Sequence, residues 1–308
     1  MRAFRILNWP QMAMPAIPLI AALLVMLGGP SAQATGIYWT NQLTSTIGRA
    51  NLDGTGVNGS FVASPTMPTG IAVDGTSIYW GLSQVTHAIA RSNLDGSAVN
   101  GSFISGVNTP TGVAVDGTHI YWADEGTHTI GRANLDGTGV NESFISGIIP
   151  AGVAVDGKYI YWTVFAGSIG RANLDGTGAN SSFIVGAVGA RGIAVDGTYL
   201  YWETELGTIG RANLDGTGVN ESFITGLHEP TGVAVDGTHI YWADYANDEI
   251  GRANLDGTSV NQSFISTGTN GPFGIAVAPV PEPGTGLLVM WGVLGLAMVW
   301  RRRAVLSA

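Results

Sequence analysis

Short apolar runs alternate with Asp-Gly turns along most of this chain. In the stretch from Pro110 to Gly147, the run Gly112-Val113-Ala114-Val115 ends at Asp116-Gly117. A second run spans Thr118 to Trp122, and a third spans Ile130 to Leu135 and closes on Asp136-Gly137. A fourth covers Val140 to Ser146. Asp-Gly is a favoured hairpin turn, so the pattern predicts four short antiparallel strands. The runs lack clean alternation of polar and apolar positions. Strands of that kind are covered on both faces.

The same unit is written six times. Tyr-Trp recurs at Tyr38-Trp39, Tyr79-Trp80, Tyr121-Trp122, Tyr161-Trp162, Tyr201-Trp202 and Tyr241-Trp242, with steps of 41, 42, 40, 40 and 40. Each pair is followed by Ile-Gly-Arg-Ala-Asn-Leu-Asp-Gly or a close copy, then by Asn-x-Ser-Phe. A period of this size made of short strands signals a β-propeller, one sheet per repeat. The first copy lacks its own Gly-x-Ala-Val strand. The missing strand stands at the far end, as Gly274-Ile275-Ala276-Val277. The expected fold is all-β: a six-bladed propeller of four-stranded antiparallel blades over residues 35–279. Its last blade is built from both termini, which leaves no open edge.

The two ends read differently. Residues 1–34 have the form of a secretory signal peptide, with Arg2 and Arg5 ahead of an apolar stretch from Ala13 to Leu27. Ala32-Gln33-Ala34 is a small-x-small site, so cleavage is expected after Ala34. A retained membrane anchor is the alternative. At the other end (280–308), Val280-Pro281-Glu282-Pro283 precedes a 17-residue apolar segment, 284–300, and then Arg301-Arg302-Arg303. The segment is expected to be a transmembrane helix at the short limit for spanning a bilayer. The three arginines should remain cytoplasmic. This tail resembles the PEP-CTERM sorting signal of Gram-negative bacteria, through Pro281, Glu282 and Pro283, the hydrophobic helix and the basic cluster. The resemblance implies an exosortase-type membrane protease as partner and transient anchoring in the inner membrane. Delivery to the cell surface or extracellular matrix would follow. A plain C-terminal anchor is the alternative, and both place the propeller outside the cytoplasmic membrane.

Composition narrows the chemistry. There is no Cys, so disulfides, thiol nucleophiles and Cys-ligated metals are excluded. Between residues 35 and 279 there are 8 basic and 21 acidic residues. Such a domain repels phosphate backbones, so no nucleic-acid partner is expected, and it attracts cations or basic partners.

Tyr-Trp-Thr/Ala-Asp, a strand ending in Leu-Asp-Gly, and Gly-x-Ala-Val-Asp together resemble the YWTD (LDL-receptor class B) six-bladed propeller. The resemblance covers nearly the whole chain between the two terminal signals. Asp124 and Asp244 match the fourth motif position, whereas Asn41, Leu82, Val164 and Thr204 depart from it. The resemblance implies action through protein–protein binding rather than enzymatic turnover, and a monomer is expected.

Several motifs have a plain reading beside a functional one. Asn-Leu-Asp-Gly-Thr-Gly, as at Asn134 to Gly139, looks like the start of a calcium loop. Calcium needs six to eight oxygens, with a bidentate Glu at position twelve of an EF-hand loop. Counting from Asn134 or from Asp136 puts Ile145 or Gly147 there. A hairpin turn accounts for the same residues, so no cofactor is expected, with calcium as the alternative. The repeated Asn-x-Ser matches a glycosylation sequon, and a polar outer strand explains it equally. Arg49, Arg91, Arg132, Arg171, Arg211 and Arg252 share one repeat position, which points to a contact between blades, on a Tyr or Trp face. His119 and His239 also share a repeat position. No catalytic constellation or metal motif is present.

The copies differ mainly in the loops between strands two and three and between blades. In an up-and-down sheet these connections emerge on the same face, where a ligand-binding surface is expected. The two-to-three loops place Asp124 and Glu125, Phe165, Glu203 and Glu205 there. They also place Asp244, Tyr245, Asp248 and Glu249. The blade-to-blade loops add Arg191, His228 and Glu229. The leading expectation is a binding module for an extracellular polysaccharide or a surface protein. An architectural protein without a specific ligand, and a metal-assisted propeller lyase or lactonase, are the alternatives.

Overall fold

The computed structural model describes residues 36–278. The signal segment and the sorting tail lie outside the described residues. The chain opens with β1 (Ile37–Asn41), β2 (Thr46–Ala50) and β3 (Asn58–Ala63). Next come β4 (Pro68–Val73), β5 (Ser77–Leu82), β6 (Ala88–Asn93) and β7 (Asn100–Ser105). Then follow β8 (Pro110–Val115), β9 (His119–Asp124), β10 (Thr129–Asn134) and β11 (Asn141–Ser146). The fourth group is β12 (Pro150–Val155), β13 (Tyr159–Val164), β14 (Ser168–Asn173) and β15 (Asn180–Val185). The fifth is β16 (Ala190–Val195), β17 (Tyr199–Thr204), β18 (Thr208–Asn213) and β19 (Asn220–Thr225). The sixth is β20 (Pro230–Val235), β21 (His239–Asp244), β22 (Glu249–Asn254) and β23 (Asn261–Ser266). β24 (Pro272–Val277) then returns to the start.

These strands form six four-stranded sheets, and the sheet that closes the ring has the order β24-β1-β2-β3. Trp39 pairs with Ile275, and the Ala278 N–H donates to the Gly36 carbonyl at 2.9 Å. Closure by both termini is therefore as the displaced Gly-Ile-Ala-Val run predicts.

Why Tyr-Trp is the repeated pair follows from strand geometry. Adjacent side chains on a strand point to opposite faces. Tyr therefore packs against one neighbouring blade and Trp against the other. The clusters show this in turn: Tyr121 with Trp162, Tyr161 with Trp202, Tyr201 with Trp242. Tyr241 with Trp39 and Tyr38 with Trp80 carry the same joint through the closing blade. All twelve rings are essentially without solvent exposure. Each buries roughly 150–250 Å² of mostly apolar surface, so the blade interfaces dominate the stability.

Five of the six tryptophans also dictate their cross-strand neighbour, while Trp80 faces Ala90. Trp122 faces Gly131 in register, and a Cβ on Gly131 would overlap the indole. Gly48, Gly170, Gly210 and Gly251 sit under their own tryptophans in the same way. The innermost strands β4, β8, β12, β16, β20 and β24 surround an axial channel. Each contributes one glycine to a ring. A Cβ on Gly112 would lie 2.9 Å from the Gly152 Cα, and one on Gly274 would lie 3.0 Å from the Gly70 Cα. Backbones pack directly against backbones around the axis, and only glycine allows it.

Candidate ligand-binding face

Two faces result from the up-and-down path. On one, the turn face, Asp-Gly turns are held by repeated contacts. Asp116 Oδ1 accepts from the backbone N–H of Thr118 at 2.6 Å and of His119 at 2.7 Å. Its Oδ2 accepts from the Tyr121 hydroxyl at 3.0 Å. Asp74, Asp156, Asp196 and Asp236 hold Tyr79, Tyr161, Tyr201 and Tyr241 in the same manner. The closing blade has Ala278 at this position, and Tyr38 accepts instead from Arg49 Nε at 3.2 Å. In the three-to-four turns, Asp136 Oδ1 accepts from the Thr138 N–H at 2.9 Å and the Thr138 hydroxyl at 2.6 Å. Those carboxylate positions are occupied by the turn itself.

Arg132, Arg171, Arg211 and Arg252 join blades, as their repetition predicts, whereas Arg49 and Arg91 bond within their own blades to Tyr38 and Ser77. Arg132 Nη1 donates to the Leu174 carbonyl of the next blade at 3.3 Å, and Arg252 Nη1 closes the circle on Leu52 at 3.3 Å. The ring beneath each guanidinium is principally the outer-strand Phe, 3.9 Å away for Arg132 and Phe144.

On the other face, the loop face, four of the two-to-three loops are tied to the connection entering their blade, while Phe165 accepts from Gly189 of the connection leaving its own. The Glu125 N–H donates to Thr109 at 3.1 Å, Glu205 to Gly189 at 3.2 Å and Tyr245 to Glu229 at 3.0 Å. The variable residues therefore share one surface, but they do different things on it. Asp124 is buried and accepts from the N–H groups of Asn108 (2.7 Å), Thr109 (3.0 Å) and Thr127 (3.0 Å). Asp244 is buried, accepts from the Asn247 N–H at 3.1 Å, and lies 3.7 Å from His228 Nδ1. Asp248 accepts from the Gly271 N–H at 2.7 Å, and Glu249 from the Ser263 hydroxyl at 2.8 Å. These four carboxylates fix loops or the outer strand. His228 and Glu229 are exposed on the rim, and Tyr245 is half-buried.

Glu125, Phe165 and Arg191 converge elsewhere, at the mouth of the axial channel. They line a cavity of about 340 Å³ together with Phe273 and the glycine ring. Arg191 Nη2 donates to Glu205 Oε1 at 2.5 Å, and its guanidinium lies 5.6 Å from the Phe165 ring centre. The Glu125 carboxylate makes no hydrogen bond or ion pair among the described residues. Phe273 is absent from the sequence-based set. Its signal was the position before the ring glycine, which reads Thr69, Thr111, Ala151, Arg191, Thr231 and Phe273.

That position is linked to the third motif residue by an exchange of hydroxyls. Thr40 Oγ1 donates to the Thr69 carbonyl at 2.7 Å and accepts from the Gly274 N–H at 2.7 Å. Thr163 Oγ1 accepts from the Gly152 N–H at 2.8 Å and donates to the Arg191 carbonyl at 2.5 Å. Where the third motif residue is Gly81 or Ala243, the innermost strand supplies the hydroxyl. Thr69 donates to Pro110 at 2.6 Å and Thr231 to Phe273 at 3.1 Å. Beside Ala123, Thr111 turns to its own blade, 3.4 Å from the Ala123 carbonyl. In blades where Thr40, Thr163 or Glu203 takes over, the pre-glycine side chain is free to change. Those blades carry Phe273, Ala151 and Arg191, and all three line the mouth.

Glu203 is the unusual member. It is wholly buried, and its carboxyl accepts from the Gly192 N–H. Burial pushes its pKa up to about 8, against the opposing pull of the Gly192 hydrogen bond and the Arg191 charge. Its second oxygen has no partner among the described residues.

No protein-family profile matches this chain. No curated protein sequence matches it either. Among solved structures, a chain of the nidogen/laminin complex superposes with a TM-score of 0.70 at 22% identity, covering 80% of this chain and 99% of its own length. A streptogramin B lyase structure superposes with a TM-score of 0.58 at 18% identity, covering 81% of this chain and 89% of its own. At these identities the likeness is one of fold: the chain is a six-bladed propeller similar to the YWTD-type propeller of nidogen.

Proposed function

We propose that this propeller is a non-catalytic binding module that holds a protein ligand over the channel mouth on its loop face. The observation that carries this reading is where the repeats diverge. The turn face is nearly the same in every blade, while Ala151, Arg191, Phe273, Phe165 and Glu125 break the repeat around one cavity. Recognition needs such local departures on a rigid frame. The fold likeness to nidogen, from a complex with laminin, supports a protein rather than a polysaccharide as ligand. We further propose that segment 1–34 exports the chain and that the tail 280–308 is handled by an exosortase-type protease. The propeller then stands at the cell surface or in the extracellular matrix of a Gram-negative bacterium.

A photo-reactive residue at His228 on the loop face, compared with one at Val140 beside a turn, tests the reading. Adducts to one defined surface protein from position 228 alone are expected. Adducts from position 140 alone would overturn it. Saturable co-sedimentation with purified exopolysaccharide, with or without calcium, would replace the protein ligand by a glycan. Stoichiometric metal together with lyase or lactonase turnover would overturn the non-catalytic part.

A further inference from the structure

We propose that the channel mouth is a receptor for a single basic side chain of a protein partner, with Glu125 as counter-charge and Phe165 and Phe273 as walls. This rests on the binding-module reading above and names the chemistry of its central contact.

Charge balance in the cavity comes first. Glu125 and Arg191 are the charged groups in its wall. Arg191 is already neutralised by Glu205 and leans toward Phe165. The Glu125 carboxylate has no hydrogen-bond or ion-pair partner among the described residues, so the uncompensated charge facing the cavity is negative. The surrounding domain, with 21 acids against 8 bases over residues 35–279, adds a field of the same sign. An anionic ligand would meet both terms as a penalty, and a cation gains from both.

The walls then decide what sort of cation. A hard metal ion wants six or more oxygens. The cavity offers one carboxylate, and no metal-holding cluster of acids and histidines occurs among the described residues. Its remaining lining is Phe165, Phe273, aliphatic strand residues such as Val113 and Ile193, the glycine ring, and the two threonines Thr111 and Thr231. An aliphatic stem ending in an ammonium or guanidinium fits that surface. The stem lies against the apolar wall, and the head meets a carboxylate and aromatic faces. The hole is axial, so a linear side chain enters end-on. A sugar chain would call for an open cleft across the surface.

Glu205 gives the proposal a sign. In Glu205→Gln, Arg191 loses its counter-ion and becomes a free cation inside the mouth, so a basic ligand should bind less tightly.

The experiment is calorimetric titration of the full-length protein in mild detergent with capped heptapeptides bearing one Lys, norleucine or Glu. The expected order is Lys first, with norleucine weaker by about tenfold, the scale of one charged hydrogen bond. Glu125→Gln should weaken the Lys peptide by about tenfold. Glu205→Gln should weaken it too, and Phe273→Ala should lower affinity for Lys and norleucine peptides alike. Preference for the Glu peptide, with tighter binding in Glu205→Gln, would overturn the proposal in favour of an anion site. A glucosamine oligomer binding more tightly than the Lys peptide would overturn the protein source. Absence of any Lys-peptide binding would also overturn it. If a partner still cross-links at position 228 while Glu125→Gln leaves its binding unchanged, the binding-module reading survives and this inference falls.

Discussion

The turn face and the loop face are built by the same strands and both carry carboxylates, yet they use them in different ways. On the turn face, Asp116 and its equivalents each bind two backbone N–H groups and a buried tyrosine hydroxyl. Five of the six copies make that contact, so those copies stay alike. On the loop face, Asp124 and Asp244 fix loops, Glu203 ties two adjacent strands of one blade through the Gly192 N–H, and the Glu125 carboxylate has no partner among the described residues. A two-residue turn has one good solution, whereas a loop tied down by backbone bonds leaves its side chains free to diverge.

The largest change expected is from removing what both faces share. Trp162→Ala should cost about 3–5 kcal/mol, because the ring fills a closed interface with no solvent access. Chemical denaturation reads this directly, and a loss below 1 kcal/mol would contradict the interface account.

The second test separates the faces by pH. Glu203 has a folded pKa of about 8, above its ordinary 4.5. The native protein holds a proton that the unfolded chain releases, so this group's contribution falls as pH rises between those values and then levels off. Glu203→Gln should flatten that limb and make the variant more stable than the parent at pH 8 and above, by a few kcal/mol. On the turn face, burial alone would raise Asp116. The hydrogen bonds from Thr118, His119 and Tyr121 outweigh it and hold the carboxyl below the usual 3.8. Asp236 is lowered by the same balance of burial and hydrogen bonds. Their contribution is complete above that pH and is lost as pH falls through the folded values. Denaturation curves from pH 3 to 9 should show an acid limb in both proteins and, in the parent alone, a decline between about pH 4.5 and 8.

A third test sharpens the comparison within the turn face. Tyr201→Phe removes a hydroxyl bonded to the Asp196 carboxylate, at a cost of about 1.5–3 kcal/mol. Tyr38→Phe, in the blade where Ala278 replaces the aspartate, loses only the contact from Arg49 and should cost about 1 kcal/mol. Equal losses would show that the Asp–Tyr contact adds nothing. The smallest effect on stability belongs to the loop face: Phe165→Ala should stay within about 0.5 kcal/mol by thermal unfolding while weakening ligand capture.

Much of the frame was legible in the sequence because it is periodic. Tyr-Trp, Asp-Gly and the displaced Gly274-Ile275-Ala276-Val277 run identify blades, turns and closure without any tertiary information. The face was legible too, from which connections vary. The roles within it were not. Asp124 and Glu125 are neighbours in one variable loop, yet one carboxylate is buried under three N–H donors and the other lines the cavity. Which one turns inward depends on where the loop's N–H groups point, and composition carries no record of that. Phe273 and Ala151 escaped notice on strands β24 and β12, and Arg191, expected in a blade-to-blade loop, in fact lies on β16 at the equivalent position. The exchange between Thr40, Thr163 or Glu203 and the pre-glycine threonines was present in the repeats. It has meaning only once the two positions are known to meet across a blade.

The closing strand has a mechanical side. β24 is innermost, runs from the loop face to the turn face, and ends at Ala278 beside Gly36. A load applied at that end acts along the strand rather than across it. The bonds between β24 and β1 are then sheared together, and all of them must fail at once. A pull across the pair would peel them one after another. The same geometry sets the load point on the axis and leaves the channel mouth facing away from it. A propeller tethered there would resist drag through the whole length of its closing seam.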